Sequence, residues 1–106
     1  MINYKIIITQ TFENDFKKLF NYISFINYKS SYLKILYNQI MNAIYSLDLF
    51  PERYAKIHNQ NISKKYSNLR KLLIDKYIII YEVNINTNEV FILHIFHIKQ
   101  NYFNNL

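Results

Sequence analysis

This sequence predicts a small α+β fold in the order β-α-α-β-β-β, a mostly antiparallel four-stranded sheet with an N-terminal helical hairpin packed on one face. Three observations carry the prediction: two long stretches with apolar residues at helical spacing, a very short connection between them, and three β-rich runs crowded into the C-terminal part. At 106 residues the chain is expected to be one domain over 1–106, since domains usually run to roughly 100 to 150 residues.

Tyr4 to Thr9 is rich in β-branched residues and reads as a first strand buried on both faces. Thr11 offers a side-chain oxygen as helix N-cap, and Glu13 and Asp15 put negative charge in the first turn, where the exposed amides favour it. Phe12, Phe16, Leu19, Phe20, Ile23 and Ile26 then follow the spacing of a one-faced helix running to about Asn27. Ser30 or Ser31 is the next N-cap, and Leu33, Leu36, Tyr37, Ile40, Ile44 and Leu47 repeat the pattern as far as Leu49. The short connection folds the two helices back as an antiparallel hairpin. Pro51 stops the second helix, because the residue before a proline is pushed out of the helical region.

From Pro51 to Asn68 periodicity disappears and polar residues dominate, so this stretch reads as a solvated loop tacked down by Ile57 and Ile62. Leu69 to Ile74, Lys76 to Val83 and Val90 to Ile98 are the three β-rich runs. The last two are joined by an Asn-rich hairpin loop, Asn84 to Asn88, in which Asn takes the positive φ that glycine usually supplies.

Composition excludes several chemistries. The absence of cysteine rules out disulfides, thiolate metal sites and cysteine nucleophiles, and the absence of glycine rules out the usual P-loop and dinucleotide turn. Thirteen Lys and Arg against seven Asp and Glu give +6, a balance that favours an anionic partner. Yet 19 Ile, 15 Asn, 11 Lys and 11 Tyr all have codons rich in A and T, so the tyrosines and lysines partly reflect codon supply. No secretory leader is visible, and apolar runs such as Ile78 to Tyr81 fall far short of the roughly 20 residues that cross a bilayer. Cytoplasmic residence away from membranes is the expectation.

The basic residues Lys56, Lys64, Lys65, Arg70, Lys71, Lys76 and Lys99 concentrate in the loop and late strands, either to contact phosphates or to keep loop and sheet edges solvated. Arg70 stands out in a chain with Arg at only two positions: it supplies a fixed planar fork for a phosphate or for a carboxylate such as Glu82 or Glu89. His94 and His97, three apart on one strand, face opposite sides and cannot share a metal ion. His97 shares its face with Phe91, Leu93 and Ile95, as a core histidine or as an acid–base group at the rim. With Lys99 and Tyr102 it places an imidazole, an ammonium and a phenol within a short span, groups suited to RNA cleavage; Tyr102 and Phe103 equally suit a tail packed on the sheet. No cofactor or metal is called for.

Three segments carry a family resemblance: Leu47-Asp48-Leu49-Phe50-Pro51, the run from Leu69-Arg70-Lys71 through Tyr77 to Val83, and Ile95-Phe96-His97-Ile98-Lys99-Gln100-Asn101-Tyr102. In this order they resemble the RelE/ParE family of toxins from bacterial type II toxin–antitoxin modules, closer to the ParE-like branch. The resemblance implies a RelE/ParE-like fold and a toxin that arrests growth by inhibiting DNA gyrase, neutralised by a cognate antitoxin protein in an assembly such as a heterotetramer. On that branch there is no catalysis, and Arg70, Lys71, His97 and Lys99 form the target-binding group. The alternative is a ribosome-dependent mRNA endoribonuclease with His97, Lys99, Tyr102 and Arg70 as its catalytic set, and a second alternative is an inactive interaction module. Where nuclease-type members often carry arginines around the strand tyrosine, this sequence has Leu73 and Ile78, and Asp75-Lys76 replaces the usual glycine before Tyr77.

Overall fold

The computed structural model describes residues 2–26, 29–58 and 66–99. Its elements are β1 (Lys5–Ile8), α1 (Gln10–Phe25), α2 (Ser30–Tyr45), two short 3-10 turns (Ser46–Asp48 and Pro51–Arg53), β2 (Leu69–Ile74), β3 (Tyr77–Asn84) and β4 (Glu89–His97). The 4-stranded sheet has the order β1-β4-β3-β2, with β1 parallel to β4 and the other pairs antiparallel. The predicted α+β architecture is the one observed.

β3 is the central strand, and Tyr77 through Tyr81 are all buried, so both faces of the sheet are covered there. On one face Ile79, Tyr81, Val83, Val90, Ile92 and Ile95 meet Phe12 and Ile23 of α1 and Leu36, Ile40 and Ile44 of α2. On the reverse face Ile78, Ile80, Leu69 and Phe96 form a smaller cluster, closed by Ile57 with Tyr66 and Leu93 beside it. β1, by contrast, is an edge strand. It pairs only with β4, so Lys5 is exposed and Ile6 to Ile8 are half-buried, where burial on both faces was expected.

A register shift between Ile80 and Tyr81 sets the phase of β4: Ile80 faces His94 whereas Tyr81 faces Ile92, leaving Leu93 as the extra residue of a bulge. Val90 and Ile92 therefore share the helix-side core with Ile95, while Leu93 packs on the reverse face. The face-mates expected for His97 hold only for Ile95, because strict alternation ignores that extra residue.

The helix caps sit earlier than the sequence suggests. Thr9, not Thr11, caps α1: its amide closes the β1 ladder onto the Ile92 carbonyl at 3.2 Å, and its hydroxyl accepts from the Phe12 amide at 3.3 Å. Strand thus passes into helix without a linker, and Thr11 instead donates to the Leu93 carbonyl at 2.8 Å. Lys29 occupies the N-cap of α2 with no side-chain cap bond, so neither serine serves. α2 ends at Tyr45, and the chain continues as a 3-10 turn to Asp48. Pro51 is not the stop; it opens the second 3-10 turn.

The segment after Pro51 is more structured than a solvated loop. Lys56 bridges to Arg70, the Ile57 amide donates to the Leu69 carbonyl at 2.8 Å, and the Ala55 carbonyl accepts from the Lys71 amide at 3.1 Å, covering the first half of the β2 edge. Ile62, Lys64 and Lys65 lie outside the described residues. Asp75 (φ 53°) and Asn88 (φ 55°) take the left-handed conformation in the two hairpin turns that glycine would otherwise fill. In the second, Asn84 Oδ1 accepts from the Asn86 and Thr87 amides at 3.0 and 3.2 Å, which fixes the loop.

Candidate functional site

Arg70 sits on β2 opposite Tyr81, where its side chain rises on the helix side of the sheet toward the second 3-10 turn. Nη1 donates to the carbonyls of Glu52 and Tyr54, both at 2.8 Å, and Nε donates to Asn68 Oδ1 at 3.1 Å. Nη2 meets Glu52 Oε2 at 3.3 Å, and Asn68 donates to the same oxygen at 3.0 Å. The carboxylate partner is therefore Glu52, not Glu82 or Glu89. A side chain 14% exposed with its fork spent on backbone carbonyls is a clamp on the turn.

Tyr81 completes the clamp from below. Its fully buried hydroxyl donates to the Pro51 carbonyl at 2.6 Å. Burial pushes the Tyr81 phenol well above its ordinary value, with the Arg70 and Arg53 charges pulling the other way. The folded chain thus keeps this proton where the unfolded chain releases it. The stability this gives is present below about pH 10 and is lost as pH rises above it. Tyr81→Phe is expected to cost about 1–3 kcal/mol near neutral pH by orphaning the Pro51 carbonyl. It should also remove the part of the alkaline loss of stability that belongs to this phenol, as paired urea titrations at pH 7 and above pH 10 would show. Equal stability of variant and wild type at both pH values would refute the clamp.

Arg53 secures the near side of the same turn. Nη1 donates to the carbonyls of Leu49 at 2.6 Å, Phe50 at 3.1 Å and Ser46 at 3.3 Å, and Nη2 donates to Ser46 Oγ at 2.9 Å. Its guanidinium lies 4.7 Å from the centroid of the Tyr54 ring. An open polar cleft adjoins this turn, lined by Glu52, Lys56, Asn68, Arg70 and Glu82 together with the β3–β4 loop.

His97 stands at the far end of the sheet. It pairs with Tyr77 across the ladder, and the two rings meet edge to face at 5.7 Å. The Lys99 amide donates to His97 Nδ1 at 3.1 Å, so the neutral ring carries its proton on Nε2. Lys99 itself is exposed. Tyr102 lies outside the described residues.

These positions divide the sequence-predicted site residues. Arg70 is aligned with Tyr81 and His97 with Tyr77, on strands flanking β3. That spacing separates them by about 13 Å along the strand direction and about 10 Å across it. Lys71 alternates with Arg70 and so lies on the reverse face, opposite Ile80. Among the described site residues, only His97 and Lys99 come together, through the Lys99 amide on the His97 ring.

One pair escaped the sequence reading. His94 Nδ1 lies 2.8 Å from Asp15 Oδ2, both groups half-buried, and the imidazole stacks on Phe96 at 5.2 Å. The pair pins α1 against the β4 edge beyond the end of β1. Its members are 79 residues apart, so no local pattern reveals it. His94 and His97 face opposite sides as predicted, and no group of three metal-ligating side chains occurs among the described residues.

Comparison with known proteins gives two findings. A family profile described as ParE toxin of type II toxin–antitoxin system, parDE, matches residues 6–102. A chain in the crystal structure of the toxin–antitoxin complex RelBE2 from Mycobacterium tuberculosis superposes with a TM-score of 0.64 at 20% identity, covering 92% of this chain and 93% of that one. At that identity the likeness is one of fold. No curated protein matches the chain.

Proposed function

The chain belongs to the ParE toxin family of type II toxin–antitoxin systems, and on that premise we propose that it arrests bacterial growth by binding DNA gyrase, without catalysis of its own. The observation that supports this reading is the engagement of Arg70. Cleavage of RNA needs stabilisation of charge on the phosphorane close to the acid–base group, and the Arg70 guanidinium is spent on Glu52, Tyr54 and Asn68 at a distance from His97. The positions that often hold arginines in nuclease-type members are filled by exposed Leu73 and buried Ile78. His97 and Lys99 then serve as target contacts at one end of the sheet, Lys71 contributes from the reverse face, and Arg70 acts through the turn it holds.

A cognate antitoxin is part of the proposal, supported by the family and by the structural neighbour's being a toxin–antitoxin complex. No described helix is long and apolar enough to cross a membrane.

The test is brief induction in a bacterial host with RNA 5′ ends and transcript levels mapped together, beside a supercoiling assay with purified gyrase. Intact messages, a DNA-damage response and inhibited supercoiling are expected. His97→Ala should weaken growth arrest by less than about tenfold, the usual effect of one contact among several. Loss of a general acid or base would instead cost about 100- to 10,000-fold, and fresh cuts inside translated messages would replace this reading with the endoribonuclease one.

A further inference from the structure

Phe50 is the least comfortable residue of the described chain. Its backbone lies in the left-handed region at φ 49° and ψ 54°, which a bulky side chain avoids, and the residue is 68% exposed. Burial of the ring therefore does not repay the conformation. The turn around it is nevertheless held on every side. The carbonyls of Leu49 and Phe50 accept from Arg53, that of Pro51 from Tyr81, and those of Glu52 and Tyr54 from Arg70. Both arginines of the chain and the fully buried Tyr81 hold a turn that leaves Phe50 exposed to solvent.

Strain held by the surrounding structure at an exposed residue marks a group kept in position for contact. The charges nearby indicate the kind of partner. At this end of the sheet Glu89 sits opposite Lys5, Glu52 pairs with Arg70, Glu82 and Lys56 line the same cleft, and the Arg53 guanidinium is engaged by the carbonyls of Ser46, Leu49 and Phe50. In a chain of +6 both guanidiniums at this turn are thus already engaged, and neither is free to gather a phosphate beside Phe50. We propose that Phe50 is a preorganised anchor that inserts into an apolar pocket on the protein target of the toxin. This rests on the toxin reading but not on gyrase being the target.

The experiment is growth arrest on induction of wild type and of Phe50→Gly, Phe50→Asn and Phe50→Leu, with melting followed by circular dichroism and supercoiling inhibition measured in parallel. Gly and Asn accept the left-handed conformation, so both variants should melt at or above the wild-type temperature while losing growth arrest by roughly thirtyfold or more, the scale of an aromatic anchor. Leu should keep most of the arrest, because an apolar pocket accepts it. Growth arrest unchanged in the Gly and Asn variants would overturn the proposal, as would a loss of fold in both, which would make the ring structural. Leu as inactive as Gly would also overturn it, pointing to stacking on a nucleobase. A wild type that arrests growth without touching gyrase would sink the gyrase assignment and leave Phe50 standing, whereas no arrest by wild type would sink both.

Discussion

Arg70→Ala is expected to destabilise the fold by about 3 kcal/mol. The ion pair supplies little of this, because Glu52 is 47% exposed and water screens it. The cost comes from the carbonyls of Glu52 and Tyr54, which lose a charged donor together, and from Asn68, which loses the group that orients it. Arg70→Lys should recover no more than about half, since one ammonium cannot reproduce a fork that reaches separate acceptors. Hydrogen exchange sharpens the test. The Ile57 and Lys71 amides bond across the bridge beside Arg70 and should lose protection in the Ala variant, while amides between β3 and β4 keep theirs. An Ala variant as stable as wild type in urea would show that the turn holds itself. Lost toxicity in a destabilised Ala variant is read as a collapsed Phe50 turn, whereas lost toxicity in a variant as stable as wild type would point to a missing target contact.

The limits of reading this molecule from sequence follow from the range of the forces involved. β2 was placed residue for residue, and α1, β3 and β4 to within about two residues, because burial of alternate or helically spaced side chains is a local signal. The bulge at Leu93 was invisible, since one extra residue in an unbroken apolar run leaves no mark on the pattern. The end of α2 was misjudged because the proline rule was applied to a helix that had already tightened into a 3-10 turn after Tyr45. At the candidate site, the rarity of arginine singles out Arg70 as a planar fork, but its carboxylate partner lies 18 residues back on an aperiodic turn. The basic residues looked like one cluster because they are close in sequence; alternation puts Lys71 on one face and Arg70 and His97 on the other, at separate ends of the ladder. Phe50 was read as part of a family motif and not as strained, since its conformation depends on Arg53 and on its neighbours' distant partners.

The two faces of β3 should respond unequally to truncation. Ile79 and Ile80 are adjacent, equally buried at 0% exposure and chemically identical, so any difference between them measures what covers each face. Ile79 lies under both helices, held between β2 and β4 by Leu72 and Ile95, where neighbours cannot move into a void without shifting a helix. Ile79→Ala is expected to cost about 4 kcal/mol, near the top of the range for a rigid cavity. Ile80 faces the smaller cluster, closed by Ile57 and Tyr66, which belong to no helix or strand of the fold. Ile80→Ala should therefore cost about 2 kcal/mol, near the low end of that range. Urea denaturation of both variants at one pH decides the matter. Equal losses, or the larger loss at Ile80, would mean that the reverse face is as firmly closed as the helix side.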